Sequence, residues 1–137
     1  MSMKNTCNAI CSTLTPLLLS VLRVMTALLF MQHGTAKLLG IPAAPQFANL
    51  QMFSLSWVAG VLELVGGALL VLGLFTRPVA FILSGQMAVA YFLAHAPQDF
   101  YPLLNGGELA VLYCFVFLYL AAAGGGSIGI DALRKRG

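Results

Sequence analysis

The sequence predicts an all-α membrane protein: a bundle of four transmembrane helices that forms a single domain over residues 1–137. Of the 137 residues, 60% are hydrophobic and only 8% are charged, and the mean hydropathy is +0.93. So few charges could not cover the surface of a water-soluble domain. Four apolar stretches also fit the chain, each roughly the 20 residues that a helix needs to cross about 30 Å of hydrocarbon.

In chain order, the predicted spans are Pro16–Leu39, Phe53–Phe75, Pro78–Ala96 and Leu103–Ala123. Helices are expected because an unpaired strand cannot satisfy its backbone in lipid, and because the alternation of a barrel strand is absent. Residues 1–15 should form a short N-terminal segment and residues 124–137 a basic tail. The first span is too long for a cleaved signal peptide and contains Arg23, so we expect it to be retained as a membrane anchor.

The basic residues predict the orientation of the bundle. Lys4 precedes the first span, Arg77 lies in the second connection and Arg134–Arg136 follow the fourth span, whereas the third connection carries only Asp99. The positive-inside rule places both termini in the cytoplasm of a bacterial cell, with the chain passing several times through the inner membrane. The net charge of +3 favours contact with lipid headgroups and not nucleic-acid binding, because no basic face with interleaved aromatic residues is present.

Glu63 lies within the second span, where an isolated carboxylate facing lipid would cost at least a few kcal/mol. The glycines of Gly60–Gly67 allow a neighbouring helix to approach closely, so we expect the acid inside the bundle, paired with Arg23 or His33. Two interpretations remain open. The pair could be a structural link between the first two helices, or Glu63 could exchange protons or bind a ligand.

His33 and Lys37 lie one helical turn apart at the predicted outer end of the first span, so they share a face. Together they would form a compact basic site for a carboxylate, a quinone carbonyl or an anion. The alternative is that Lys37 extends to the headgroups while His33 lies in the membrane interface.

Tyr91 and His95 share a face at the outer end of the third span by the same spacing of four. Gln86 is nine residues before His95, about half a turn away at 3.6 residues per turn, and is expected to face a different neighbour. Either aromatic residue could instead belong only to the interfacial aromatic belt.

Asn105 and Glu108 are three residues apart at the start of the fourth span. They could bind a ligand, or they could be an ordinary helix cap and a first-turn acid that opposes the helix dipole. Their predicted depth is the reason to consider a site, since these two residues, both histidines and Lys37 all fall near the outer leaflet.

At these positions the chain resembles the DoxX family of small bacterial membrane proteins, over nearly everything from Leu22 to Leu133. The resemblance implies a four-helix membrane protein. The family takes its name from a membrane subunit of an archaeal thiosulfate:quinone oxidoreductase, and some bacterial members associate with sulfurtransferase and superoxide dismutase. The matching blocks are His33-Gly34 with Lys37, Gly60–Gly67 leading into Gly73–Arg77, His95–Pro97, Asn105–Leu109 and Ser127–Leu133.

From these residues and this resemblance, we expect the membrane subunit of a quinone- or thiol-linked redox system, with a polar cavity in the outer half of the bundle. A quinone is the candidate ligand, and neither a covalent cofactor nor a metal is expected. Glu63 or Glu108 would exchange protons, and His33 and Lys37 would hydrogen-bond the ligand. The remaining candidate binding residues are His95, Asn105, Arg23 and Tyr91.

Electrons would come from a protein partner, a redox enzyme subunit, and a homo-oligomer is also possible on the sequence. Two other functions stay open: a non-catalytic anchor or assembly factor that recruits its partner through Arg134–Arg136, and a small proton-coupled transporter with Glu63 in its pathway. The sequence leaves undecided whether the chain is itself an enzyme.

Overall fold

The computed structural model describes residues 2–137, which form helices and contain no strand. A 3₁₀ turn, Pro45–Phe47, lies between the first two helices, and a π-helical turn, Tyr91–His95, continues the third. The α-helices are α1 (Met3–Leu39), α2 (Leu55–Leu72), α3 (Thr76–Ala90), α4 (Pro102–Asn105), α5 (Glu108–Ala123) and α6 (Ile130–Arg134).

Three of these helices are long and apolar enough to cross a membrane: α1, α2 and α3 with its π-helical turn. The fourth apolar helix, α5, has 16 residues and measures about 24 Å at 1.5 Å per residue. The all-helical prediction is confirmed, with three to four apolar helices able to span. The predicted start of the fourth span at Leu103 is wrong, because α4 ends in a left-handed turn at Gly106 and α5 begins only at Glu108.

Residues 3–15 of the expected N-terminal segment are helical and continuous with the first span. Helix α1 runs unbroken for 37 residues and contains Pro16 in its interior. A proline removes one helical hydrogen bond and usually bends or ends a helix, yet the helical backbone continues through it here. Cys7 and Cys11 are exposed on this extension.

The bundle is built from two helix pairs, α1 against α2 and α3 against α5, joined by contacts between α2 and α3. Phe30 of α1 reaches across to α5, where its ring meets Tyr113 and Phe117 edge-on at centroid distances of 5.2 and 4.9 Å. Large apolar side chains such as Val65 and Phe115 face outward, as expected for helices surrounded by lipid.

Glycine sets the register between α1 and α2. A Cβ at Gly34 would lie 2.6 Å from the backbone nitrogen of Leu64 and 2.8 Å from the Gly60 carbonyl oxygen, so only glycine permits this approach. The same register places Lys37 beside Gly60 at one end of the pair and Arg23 beside Gly73 at the other. We call these the Lys37 end and the Arg23 end of the bundle.

At the Arg23 end, the basic tail folds back onto the helices. The backbone N–H of Ser127 donates to the Pro16 carbonyl at 3.1 Å, and that of Asp131 donates to the Gly73 carbonyl at 2.9 Å. The Asp131 carboxylate accepts hydrogen bonds from the backbone N–H groups of Phe75 and Thr76, at 3.0 and 2.9 Å. Residues 124–137 therefore cover the connection between α2 and α3.

Candidate functional site

An ion pair between α1 and α2 lies at the centre of the Lys37 end. Lys37 Nζ donates to Glu63 Oε1 at 2.7 Å, and the two side chains are only 12% and 4% exposed. The ammonium also lies 5.4 Å from the centre of the Phe47 ring, which covers it. The predicted pairing of Glu63 with Arg23 or His33 is wrong, and so is the alternative that Lys37 extends outward to the headgroups.

Local sequence explains how Glu63 reaches this depth. Ser54 caps α2 by accepting a hydrogen bond from the Trp57 N–H at 3.2 Å, which fixes the start of the helix. Glu63 follows eight residues after Leu55, about 12 Å into the bundle. The close approach at Gly34 then brings Lys37 within reach of the carboxylate.

Gln86 of α3 completes the environment of this pair. Its Nε2 donates to the Ala59 carbonyl at 3.3 Å and lies 3.4 Å from Glu63 Oε1. Gln86 and His95 have different hydrogen-bond neighbours, as predicted: Gln86 bonds to α2, whereas His95 lies beside the Asn105 carbonyl. Both side chains nevertheless line the same cavity. The π-helical turn Tyr91–His95 holds more residues per turn than an α-helix, which changes the direction of His95 from the one expected for an unbroken α-helix.

A cavity of about 650 Å³ opens beside the pair, between the ends of α1, α2, α3 and α5. Most of its wall is apolar, from leucine, valine, alanine and phenylalanine side chains, as in typical sites for small molecules and cofactors. The polar side chains that line it are those of His33, Lys37, Ser56, Glu63, Gln86, His95 and Tyr113.

Two buried oxygen atoms among these side chains lack a hydrogen-bond partner within residues 2–137: Glu63 Oε2 and Gln86 Oε1. Gln86 Oε1 is an acceptor, and Glu63 Oε2 is one when the carboxyl group is ionised. Buried polar atoms are nearly always hydrogen-bonded, and an unpartnered one costs about 1–3 kcal/mol. Because both residues line the cavity, these oxygens are candidate acceptors for a ligand that donates hydrogen bonds.

The two histidines that line the cavity are held through Nδ1. His95 Nδ1 lies 3.0 Å from the Asn105 carbonyl oxygen, and His33 Nδ1 lies 3.3 Å from that of Leu29. Because a carbonyl only accepts, Nδ1 carries the proton in both rings, which leaves Nε2 as an acceptor in the neutral form. The ring of His33 also packs edge-on to Tyr113, at a centroid distance of 6.1 Å.

Asn105 uses its side chain to hold the loop between α3 and α5. Its Nδ2 donates to the Asp99 carbonyl at 2.9 Å and to Tyr91 Oη at 3.3 Å, while its Oδ1 accepts from the Gly107 N–H at 2.7 Å. The Asn105 side chain is therefore engaged within the protein and orients His95 through its carbonyl. Asn105 and Tyr91 are not among the cavity-lining residues.

Two more predicted site residues lie elsewhere. Glu108 is exposed at the start of α5 and does not line the cavity. Arg23 lies at the opposite end of the bundle, where its Nη1 donates to the carbonyls of Gly125 and Ile128. Of the eight predicted residues, the cavity brings together Glu63, His33, Lys37 and His95.

Sequence reasoning missed Tyr113 as a site residue and set Gln86 aside. Each is a polar side chain within an apolar helix, and that signal alone could have marked both as candidates. Within residues 2–137, no group of three or more His, Cys, Asp or Glu side chains is arranged to hold a metal ion.

The chain is similar in sequence to several known proteins. The model of the DoxX family matches residues 18–96 of the chain. An uncharacterized protein of Haemophilus influenzae is 47% identical over 120 residues, covering 85% of this chain and 90% of its own. "Putative oxidoreductase CatD" of Bacillus subtilis is 28% identical, covering 85% and 87%. "Inner membrane protein YphA" of Escherichia coli is 29% identical, covering 85% and 89%. No solved structure matches the chain.

Proposed function

This chain belongs to the DoxX family, and we propose that it is the membrane subunit of a redox system whose cavity at the Lys37 end binds a quinone and its quinol. The observation that carries this proposal is the pair of unpartnered buried acceptors, Glu63 Oε2 and Gln86 Oε1, beside an apolar cavity. A relative is named "Putative oxidoreductase CatD", which supports the same class of chemistry.

The lining suits both oxidation states of such a ligand. The hydroxyl groups of a quinol donate, and the two unpartnered oxygens accept. The carbonyl groups of a quinone accept, and the cavity offers the Tyr113 hydroxyl and the Lys37 ammonium as donors. The apolar walls suit the ring and an isoprenoid chain, because burying apolar surface contributes about 25 cal/mol per Å².

Each polar residue has a distinct role in this proposal. A bound quinone would supply two-electron, two-proton chemistry. Glu63 Oε2 accepts a proton from the ligand side, while Lys37 holds Oε1 and stabilises the negative charge of the carboxylate. Gln86 orients the same carboxylate through Nε2. His33 and His95 offer Nε2 as further acceptors at the cavity wall.

The partner and the location belong to the same proposal. The cavity residues include no electron carrier, so a redox enzyme subunit exchanges electrons with the bound ligand. The distribution of basic residues favours a bacterial inner membrane with the Lys37 end outward, and one relative is named as an inner membrane protein.

The test uses Trp57, the single tryptophan of the chain, which lies between the lining residues Ser56 and Val58. Ubiquinone-1 and its quinol are titrated separately into the full protein in mild detergent, and quenching of Trp57 fluorescence reports binding. In Glu63→Gln, the amide oxygen takes the Lys37 bond and an NH₂ group faces the cavity. We expect quinol affinity to fall about tenfold or more, since a hydrogen bond to a charged group contributes about 1.5–3 kcal/mol, while quinone affinity is kept.

Glu108→Gln is the matched control, because it makes the same change in an exposed acid outside the cavity, and it should bind both forms like the parent protein. The proposal fails if neither form quenches Trp57. It also fails if Glu63→Gln lowers the unfolding temperature but leaves both affinities unchanged, since the ion pair would then serve only to join α1 to α2.

A further inference from the structure

A second cavity, of about 590 Å³, lies at the Arg23 end, between the α2–α3 connection and the folded-back tail. Its lining is strongly basic. The charged residues that line it are Arg23, Arg77, Arg134, Lys135 and Arg136, opposed by the single acid Asp131.

The acid is already engaged by the protein. Both carboxylate oxygens of Asp131 accept backbone hydrogen bonds, from Phe75 and Thr76. Five basic residues therefore line the cavity together with one acid, whose carboxylate oxygens accept from the start of α3.

Arg23 provides a second and independent indication of an anionic ligand. The residue is 2% exposed, and its Nη1 donates to the carbonyls of Gly125 and Ile128. Its Nε has no hydrogen-bond partner within residues 2–137. Buried charges are normally paired with an opposite charge, and guanidinium is permanently ionised. In the described part of the chain, its hydrogen bonds go only to carbonyl groups, and Asp131, the acid that attracts it, is not within ion-pair distance.

The depth of the cavity points to the source of the anion. It lies where α2 ends, where α3 begins and where α5 ends, which is the level of the lipid headgroups for helices that span a membrane. Phe75, Ile128 and Leu133 are exposed beside it and could contact acyl chains. Guanidinium groups match the geometry of phosphate.

We propose that this basic cavity binds the phosphate group of an anionic phospholipid headgroup. The site is distinct from the quinone cavity, because the two have no lining residue in common. The role of such a lipid is to neutralise the cations of the tail and to fasten residues 124–137 to the helix ends.

Native mass spectrometry of the full protein released from detergent tests this proposal, with three probes: dioleoylphosphatidylglycerol, dioleoylphosphatidylcholine and inorganic phosphate. We expect phosphatidylglycerol to bind in preference to phosphatidylcholine, whose choline group is repelled by the cations. A basic residue near a lipid surface contributes about 1 kcal/mol, so Lys135→Gln should weaken phosphatidylglycerol binding about fivefold. Lys135→Gln with Arg136→Gln should weaken it about 25-fold if the effects add.

Lys4→Gln is the matched control, because Lys4 is an exposed lysine of α1 that does not line the cavity, and it should leave binding unchanged. Equal loss in Lys4→Gln and Lys135→Gln would mean a diffuse charge effect and would overturn the site. Equal binding of the two lipids would also overturn it. Binding of inorganic phosphate without any preference for phosphatidylglycerol would reject the lipid as the source.

Discussion

The two ends of the bundle handle a buried charge in different ways. At the Lys37 end, Glu63 and Lys37 pair side chain to side chain, and one carboxylate oxygen is left without a partner beside a cavity. At the Arg23 end, the guanidinium is held by backbone carbonyls of a glycine-rich segment, and Asp131 is held by backbone N–H groups. The first arrangement can be altered by one substitution and restored by another, whereas main-chain partners cannot be substituted.

This difference indicates separate roles for the two ends of the bundle. Side-chain pairs can rearrange when a ligand or a proton arrives, because each partner has rotatable bonds. Main-chain partners are fixed by the fold, and here they join α1 to a tail more than 100 residues away in sequence. We infer that the Arg23 end holds the bundle together and the Lys37 end carries the chemistry.

The largest effect is expected from Arg23→Ala. It removes the hydrogen bonds to Gly125 and Ile128, leaves their carbonyls without a donor and opens a void beside Gly73. Leaving a buried acceptor without its donor costs about 1–3 kcal/mol, and two carbonyls lose theirs here, so we expect a loss of about 4 kcal/mol in the free energy of unfolding. Denaturant titration in detergent, followed by circular dichroism, measures it.

Arg23→Lys keeps the charge and should recover part of this loss, which matters if Arg23→Ala does not fold at all. An Arg23→Ala protein that unfolds like the parent would show that the tail is not fastened through this residue. The two ends would then not differ in the way proposed.

A smaller loss of stability is expected at the Lys37 end, and a second substitution should restore it. Lys37→Met leaves the Glu63 carboxylate without its cation and should cost about 3 kcal/mol. Replacing both partners, as Lys37→Met with Glu63→Met, should return stability to within about 1 kcal/mol of the parent, since apolar residues of similar size often substitute for a buried ion pair. Denaturant titration of the single and double variants gives the coupling energy.

If the double variant is as unstable as the sum of the single variants, the pair does not act as a unit. The comparison between the two ends would then lose its basis. The same double variant should fail to bind quinol whatever its stability, which separates the structural part of the pair from the proposed chemistry.

Much of the fold could be predicted from the sequence, because hydropathy alone defines a membrane helix. The second and third spans end within about three residues of α2 and of the π-helical turn after α3, an ordinary margin for such boundaries. The two differences in the helices are local. Helix α1 begins before Pro16, where the first span was predicted to start, and the left-handed turn at Gly106 shortens the last span.

The partners within the site were harder to predict, because they depend on how two helices cross. The sequence favoured Arg23 or His33 as the partner of Glu63 and did not single out Lys37. Lys37 is the partner because of the register fixed by Gly34. That register depends on the contact between two helices, so neither helix alone predicts it. Gln86 belongs to the site for a similar reason, since its contacts with Ala59 and Glu63 depend on how α3 packs against α2.

The smallest effect on stability is expected at Asp131, whose contribution at the Arg23 end should depend on pH. Burial favours the neutral carboxyl, but the N–H groups of Thr76 and Phe75 outweigh it and hold the pKa of Asp131 below its usual range. A depressed pKa in the folded state adds stability above the unfolded value of about 3.9, and this is lost as pH falls through the folded pKa. Asp131→Asn should therefore cost about 1 kcal/mol at pH 7, as for a lost helix cap at a partly exposed site, and almost nothing at a pH below the folded pKa. Unfolding in detergent at both pH values checks it. An equal cost at both pH values would mean that the Asp131 carboxylate does not hold the tail through its charge.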